Sequence, residues 1–90
     1  MKIDNYNIIR VFQNKQLTST EKLIMIDFII DIGDITKENC LTRLSNEEIS
    51  KHINCSKTCV SQNLSSLIKK GYLEMIKFDG RSRTLRIKKI

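Results

Sequence analysis

The chain has 90 residues and a formal net charge of +6, with three glycines and no proline. A chain of this length forms one domain with a small core, and we expect that domain to span residues 1–90. The longest apolar run, LIMIDFIIDI, is interrupted by Asp27 and Asp31 and is too short to cross a bilayer. No signal-peptide pattern precedes this run, so the sequence predicts a cytoplasmic protein.

The basic residues are concentrated in the second half of the chain. Residues 1–50 contain six Lys or Arg and eight Asp or Glu, whereas residues 51–90 contain ten and two, so the two parts carry −2 and +8. Such a concentration is expected of a face that binds a polyanion, because each Lys or Arg placed on a phosphate releases condensed counterions. The alternative is a basic surface that only keeps the protein soluble.

The first 16 residues form an extension whose secondary structure the sequence does not decide. Its apolar residues, among them Tyr6, Ile9 and Phe12, fit a short helix or an extended strand, and we favour the helix. These residues are numerous for an end segment. We therefore expect them to pack on the body of the protein or on a second copy of it.

A capping box formed by Thr18 and Glu21 opens the next predicted helix, which ends at Gly33. This helix is apolar around most of its circumference, which is typical of a helix buried on several sides. The sequence therefore predicts that it is the central element of the core. A polar loop over residues 34–39 and a short extended segment over residues 40–44 follow it.

Residues 45–71 contain two short helical patterns separated by a tight turn. Ser45 and Glu48 form a capping box for the first helix, and Ser56 can cap the second, which runs to about Lys70. Gly71 suits the left-handed position that closes this second helix. Two helices too short to be stable alone must pack across each other, so the sequence predicts a helix-turn-helix.

The spacing of apolar residues in the second helix predicts its buried and exposed faces. The core stripe consists of Val60, Leu64, Leu67 and Ile68, at the i, i+4, i+7, i+8 spacing. The side chains expected to point away from the core are Thr58, Gln62, Ser66 and Lys69, with Lys57, Ser61 and Ser65 along one shoulder. The exposed face is therefore polar, with positive charge at its end.

Residues 72–90 alternate between apolar and polar side chains, which is typical of two strands. The runs YLEMIKF and RTLRIKKI flank Asp79-Gly80-Arg81, a strong hairpin signal. A three-residue loop, or a five-residue loop with the same register, pairs Met75 with Leu85 and Leu73 with Ile87 on the inner face, and Glu74 with Arg86 on the outer face. Arg81 and Arg83 then lie at or near the tip.

About half of the chain, LSNEEISKHINCSKTCVSQNLSSLIKKGYLEMIKFDGRSRTLRI, resembles the winged-helix DNA-binding domain. The segment from Ser56 to GYL is similar to the recognition helix and first wing strand of GntR-type bacterial regulators. The preceding LTSTEKLIMIDFII is similar to the amino-terminal domains of plasmid and phage replication initiators. The resemblance implies an α+β, mainly α, fold with a three-helix core and a C-terminal hairpin wing.

The resemblance also implies that the second helix of the motif enters the major groove of DNA, while the hairpin lies against the backbone or minor groove. The residues expected to contact DNA are Ser56, Lys57, Thr58, Ser61, Gln62, Ser65 and Lys69 of the helix, and Arg81 and Arg83 of the wing. Lys57 and Gln62 suit base edges, whereas the hydroxyls suit phosphates. The alternatives are a merely solvated helix face and arginines that only protect a hairpin edge.

The three cysteines and the single histidine do not form a convincing metal site. Cys40, His52, Cys55 and Cys59 could suggest zinc, but their spacing matches no common zinc framework and Cys55 lies in the predicted turn. We therefore expect no metal and no other cofactor. Free structural thiols are the default in a cytoplasmic chain, and a redox sensor is an unsupported alternative.

The sequence contains no recognisable catalytic constellation, because it has one histidine, no phosphate-binding glycine loop and no paired carboxylates beside a nucleophile. It therefore predicts a non-enzymatic protein that binds double-stranded DNA as a small transcriptional regulator of bacterial, phage or plasmid origin. The alternatives are an accessory or initiator protein of plasmid or phage replication, and a winged helix that binds protein as an adaptor or inhibitor. The apolar residues within 1–32 favour a homodimer, because paired half-sites give a small DNA-binding protein its specificity.

Overall fold

A computed structural model describes residues 5–79 and 82–90. In this part of the chain, four α-helices and three β-strands form an α+β fold that is mainly helical, as predicted. In chain order the elements are α1 (Asn5–Gln13), α2 (Ser19–Ile32), β1 (Leu41–Thr42), α3 (Asn46–Ile53), α4 (Lys57–Lys69), β2 (Leu73–Phe78) and β3 (Arg83–Ile87). None of the described helices is long and apolar enough to cross a membrane.

The helix predicted near the start of the chain is confirmed over residues 5–13, which form α1. Its Val11 is fully buried, whereas Tyr6, Ile9 and Phe12 are exposed. The segment after α1 is fixed to the end of the chain, because the Asn14 side-chain amide donates to the Ile90 carbonyl at 3.0 Å. The extension therefore packs on the body and still presents apolar side chains outward.

The helix α2 is the central element, as predicted. It contacts α1, α3, α4 and β1, and its Ile24, Met25, Phe28 and Ile29 are fully buried. Burial of each such side chain contributes roughly 1.5–3 kcal/mol, so this helix contributes much of the hydrophobic stabilisation.

The predicted limits of α2 are confirmed in atomic detail. The Thr18 N–H donates to Glu21 Oε1 at 2.8 Å, and the Glu21 N–H donates to Thr18 Oγ1 at 3.2 Å, which together form the capping box. At the other end, Gly33 adopts a φ of 86°, and its N–H donates to the Ile29 carbonyl at 2.8 Å. A positive φ favours glycine, which explains why the helix stops there.

The helices α3 and α4 are joined by the predicted tight turn. The capping box of Ser45 and Glu48 is present, and Asn54 closes α3 in the left-handed conformation, with φ 55°. The Ser56 Oγ then accepts the Cys59 N–H at 3.0 Å and caps α4. The helix α4 ends at Lys69, one residue earlier than expected, and Gly71 has the expected positive φ, at 86°.

Two side chains of α4 lie differently from the prediction. Ile68, assigned to the core stripe, is 36% exposed. Ser66, assigned to the outward face, is half-buried, and its hydroxyl donates to Glu21 Oε2 at 2.6 Å. The cause is the buried Glu21 carboxylate, which binds this edge of α4 to α2. Helical periodicity alone cannot reveal such a long-range polar contact.

The three strands form an antiparallel sheet in the order β1-β3-β2. The extended segment expected over residues 40–44 thus becomes an edge strand, β1, paired with β3. The three predicted cross-strand pairs of the hairpin are present, namely Leu73 with Ile87, Glu74 with Arg86 and Met75 with Leu85. Met75 nevertheless remains 43% exposed, because it lies where the helices cover the inner face of the sheet only partly.

The register of the hairpin shifts by one residue beyond Met75, which the sequence did not predict. Lys77 pairs with Thr84 and Phe78 pairs with Arg83, so a bulge lies between Met75 and Lys77. The Asp79 N–H donates to the carbonyl of Ser82 at 2.9 Å near the end of the hairpin. The uniform register of the predicted three-residue loop is therefore wrong in this half of the hairpin.

Candidate nucleic-acid interface

The exposed face of α4 brings together most of the residues that sequence reasoning assigned to DNA. Val60, Leu64 and Leu67 are buried and fix the rotation of the helix about its axis. The side chains left exposed on α4 and its cap include Ser56, Lys57, Thr58, Ser61, Gln62, Ser65 and Lys69. With 13 residues, α4 is about 20 Å long. The result is a polar face long enough to cross the major groove of a duplex.

Arg83 fixes the hairpin beside the beginning of α3. Its Nη2 donates to the Leu44 carbonyl at 3.1 Å, immediately before the Ser45 cap. The guanidinium group is half-buried, and burial lowers the pKa of Arg83. Its buried Nε has no hydrogen-bond partner among residues 5–79 and 82–90. Arg83 was expected as a contact at the wing tip, and in the structure it also anchors the hairpin to the rest of the protein.

A groove of about 500 Å³ separates the end of the hairpin from α3 and the beginning of α4. Three cationic side chains border it, namely Arg43, Lys57 and Arg83. Its other lining residues are Ser45, Asn46, Glu47, Glu48, Phe78 and Ser82. The hairpin side and the α4 side of this groove are therefore basic.

The two carboxylates on the α3 wall of this groove are both engaged. Glu48 accepts the Ser45 N–H at 3.1 Å, and this backbone hydrogen bond lowers the pKa of Glu48. Glu47 lies 3.5 Å from the ammonium group of Lys51, one turn further along α3. The Lys51 ammonium group offsets part of the Glu47 charge, whereas Glu48 stays ionised on this wall and opposes an approaching anion.

Sequence reasoning missed Arg43 and Phe78 as members of this surface. Arg43 lies two residues before the Ser45 cap of α3 and lines the groove beside that end of the helix. Phe78 is an apolar residue beside the turn of a basic hairpin. Both residues can be noticed in the sequence. That they line one groove depends on how the hairpin folds back onto α3.

The two lysines at the end of α4 differ in their environments. Lys69 is exposed at the end of α4. Lys70 is engaged, because its ammonium group donates to the Gln16 carbonyl at 3.0 Å and to Glu21 Oε1 at 2.8 Å. Arg81 lies outside the described residues, so its predicted contact at the wing tip stays a prediction.

Glu21 connects α2 to the end of α4 and thereby helps to hold the polar face in place. Its side chain is 1% exposed. Burial acts to raise the pKa of Glu21, but hydrogen bonds from Lys70, Ser66 and the Thr18 N–H outweigh it and lower the pKa to about 2. The carboxylate is therefore ionised at neutral pH, and its hydrogen bonds hold the start of α2 to the end of α4.

The histidine and the three cysteines do not come together in one site. The His52 Nδ1 lies 3.0 Å from each carboxylate oxygen of Asp27, so His52 links α3 to α2. Burial raises the pKa of Asp27. The three cysteines are free, and a hydrogen bond with Cys59 raises the pKa of the Cys55 thiol. Across residues 5–79 and 82–90, no group of three or more His, Cys, Asp or Glu side chains could hold a metal ion.

Comparisons of the chain with protein-family models, with curated proteins and with solved structures found no match. The function is therefore inferred from the residues of the chain and their arrangement.

Proposed function

We propose that this protein binds double-stranded DNA as a winged-helix domain, with α4 in the major groove and the β2–β3 hairpin against the neighbouring backbone and minor groove. One observation carries this proposal: Lys57, at the beginning of the polar face of α4, borders the same groove as Arg83 of the hairpin. A duplex that holds α4 in its major groove passes its sugar-phosphate backbone over this groove.

The side chains then divide into those that read bases and those that hold the backbone. Lys57 and Gln62 lie on the exposed face of α4 and contact base edges, because Lys donates to guanine, and the side-chain amide of Gln can both donate to adenine and accept from it. The hydroxyl groups of Ser56, Thr58, Ser61 and Ser65 bind phosphates. Arg43, Lys69 and Arg81 add charge to the backbone contacts, and Arg83 does so while it anchors the hairpin.

A small transcriptional regulator is the role that we propose for this binding. An accessory protein or initiator of plasmid or phage replication uses the same kind of DNA-binding surface and is the alternative role. A protein-interaction module would need an apolar patch on the exposed face of α4. On α4 itself only Ile68 supplies a large exposed apolar side chain, with Met75 beside it. Phe78 lines the groove with Lys57 but with no apolar side chain of α4, so DNA is the better supported partner.

Salt dependence of binding tests the proposal directly. If about six phosphates are neutralised, log affinity falls with log salt concentration at a slope near −5. The measurement is a fluorescence titration of mixed-sequence duplexes with the full chain at several salt concentrations. Absent binding, or binding that salt does not weaken, would refute the proposal.

Two lysine variants sharpen the test. Lys57→Gln removes a cation from the beginning of α4 and reduces the magnitude of the slope by about 1 if Lys57 contacts a phosphate, or changes base preference if it reads a base. Lys37→Gln removes a cation from the loop before β1 and is the matched control, because Lys37 lies outside α4 and the groove. Equal effects of the two changes would indicate diffuse attraction rather than this interface.

A further inference from the structure

We infer that Phe78 is an apolar wedge that enters the minor groove of the bound duplex, partly unstacks one base step and bends the DNA. This inference rests on the proposed DNA binding and assigns to the hairpin a task beyond holding the backbone. Apolar side chains inserted from the minor groove unstack base steps and kink a duplex by roughly 20–90°.

The position of Phe78 is the first argument. Its side chain is 66% exposed at the last residue of β2, next to the hairpin turn. It lines the same groove as Arg43 and Lys57. Single exposed apolar residues are common on protein surfaces, but this one lies at the groove to which the proposed function assigns the duplex. An aromatic side chain in a groove that cationic side chains also line combines contact to bases with phosphate binding.

The bulge in the hairpin is the second argument. In an unbroken register Phe78 would share a face with Ser82 and point away from Arg83, on the side of the sheet opposite the helices. The shift between Met75 and Lys77 instead pairs Phe78 with Arg83 and moves the ring to the face that carries Leu85 and Ile87. A bulge that redirects a side chain is typical of functional positions in sheets. Here it turns the ring towards the α3–α4 side.

The hydrogen bonds that hold the strands beside the turn are the third argument. Arg83, the cross-strand partner of Phe78, is bound to the Leu44 carbonyl at 3.1 Å. The Asp79 N–H and the Ser82 carbonyl close the strands next to the turn at 2.9 Å. A side chain that separates stacked bases must be held by a fixed backbone. On a mobile backbone the side chain would move aside and the bases would stay stacked.

The wedge also predicts a sequence preference at a base step that α4 does not touch. Pyrimidine–purine steps such as TA and CA/TG unstack most easily, so the hairpin should favour them on the minor-groove side of the site. This preference reads the deformability of DNA and needs no hydrogen bond to a base. It therefore complements the short polar face of α4, which carries no arginine.

The experiment measures bending and binding together. A duplex of about 30 base pairs, selected from a random pool with the full chain, carries a fluorescent dye at each end and 2-aminopurine at the step under the hairpin. The wild-type protein should shorten the distance between the dyes and increase the 2-aminopurine fluorescence. Phe78→Ala should abolish both signals and weaken binding about tenfold, whereas Phe78→Leu should keep most of the bend.

Leu41→Ala is the control, because Leu41 pairs with Arg86 and is an exposed apolar side chain on the opposite face of the same sheet. It should leave the bend and the affinity unchanged. Binding without a bend, or an undiminished bend with Phe78→Ala, overturns the wedge and leaves the proposed function intact. Failure of the wild-type chain to bind any duplex overturns both. Circular dichroism of each variant verifies that the exposed substitutions leave the fold in place.

Discussion

Single residues of this protein act across long distances in the sequence, and Glu21 is the clearest case. Its carboxylate caps α2 locally and also accepts hydrogen bonds from Ser66 and Lys70, 45 and 49 residues further along the chain. A buried carboxylate is tolerated only when partners offset its desolvation. Three partners do so here, which is why Ser66 faces α2 rather than solvent.

The lowered pKa of Glu21 predicts a pH-dependent stability. The pKa falls from 4.5 to about 2 on folding, so the stabilisation is fully present above about pH 4.5 and is lost as the pH falls towards 2. Between pH 7 and pH 3 this residue should account for a loss of about 2 kcal/mol in the free energy of unfolding. Urea denaturation at both pH values measures it.

Glu21→Gln should therefore lower stability at pH 7 and reduce the difference between pH 7 and pH 3. Glu38→Gln, in the exposed loop before β1, is the control and should change neither quantity. If the Glu21 variant retained the full pH dependence of the wild type, carboxylates other than Glu21 would have to cause the loss of stability at low pH.

Gln62 offers a test of base reading at the residue scale. Gln62→Ala should change which sequence is preferred, because it removes an amide suited to adenine, whereas Arg81→Ala should weaken all duplexes similarly. Selection of bound sites from random duplexes with each variant compares the two. Arg83→Ala should weaken binding generally and also destabilise the hairpin, since it breaks the bond to the Leu44 carbonyl. A uniform loss from Gln62→Ala would deny Gln62 a role in reading bases.

At the scale of elements, the turn between α3 and α4 depends on the backbone conformation of Asn54. Its φ of 55° is left-handed, which costs most residues roughly 1–2 kcal/mol but suits Asn and Gly. Asn54→Ala should therefore lower the free energy of unfolding by about 1 kcal/mol, and Asn54→Gly should be close to neutral. Urea denaturation at neutral pH distinguishes them, and equal losses from both substitutions would point to the lost side chain instead of the backbone.

The helices could be predicted because their caps depend on neighbouring residues. The features that the sequence did not predict depend on contacts between distant parts of the chain. The caps at Thr18, Ser45 and Ser56 depend on residues three positions away, so the sequence alone predicts them. The pairing of Leu73 with Ile87 follows from alternation in the same way. The bulge before Lys77 depends on how the hairpin is held against the start of α3, and no local pattern encodes it.

The same distinction applies to the candidate interface. The exposed side chains of α4 follow from helical periodicity once Val60 and Leu64 are assigned to the core. The participation of Arg43 requires the three-dimensional path of the chain before α3, because it lies outside the helix-turn-helix in the sequence.

At the scale of the whole molecule, the outer surface of α1 is suited to contact a second copy. Tyr6 and Phe12 are 67% and 70% exposed, and Ile9 on the same helix is 54% exposed. About two thirds of each of the two aromatic side chains is accessible, so a symmetric contact through them buries apolar area on both copies. Two copies would present two α4 helices to paired half-sites, which favours a homodimer.

Analytical ultracentrifugation tests this expectation at micromolar concentration. The wild-type chain should sediment as a dimer, and Ile9→Asp should sediment as a monomer because a charge cannot be buried unpaired in such a contact. Phe78→Ala should remain dimeric, since the hairpin lies elsewhere. A wild-type monomer both free and on DNA would refute the homodimer.

The hydrogen bond between Glu21 and Lys70 has a further consequence for the local unfolding of α4. The end of α4 cannot detach from the core without leaving a buried carboxylate short of two of its partners. Amide hydrogens in the last turn of α4 should therefore exchange with solvent in the same cooperative opening as those at the start of α2, instead of fraying independently. The helix for which we propose DNA binding is thus held to α2 at the end remote from Lys57, and local opening there is coupled to opening of α2.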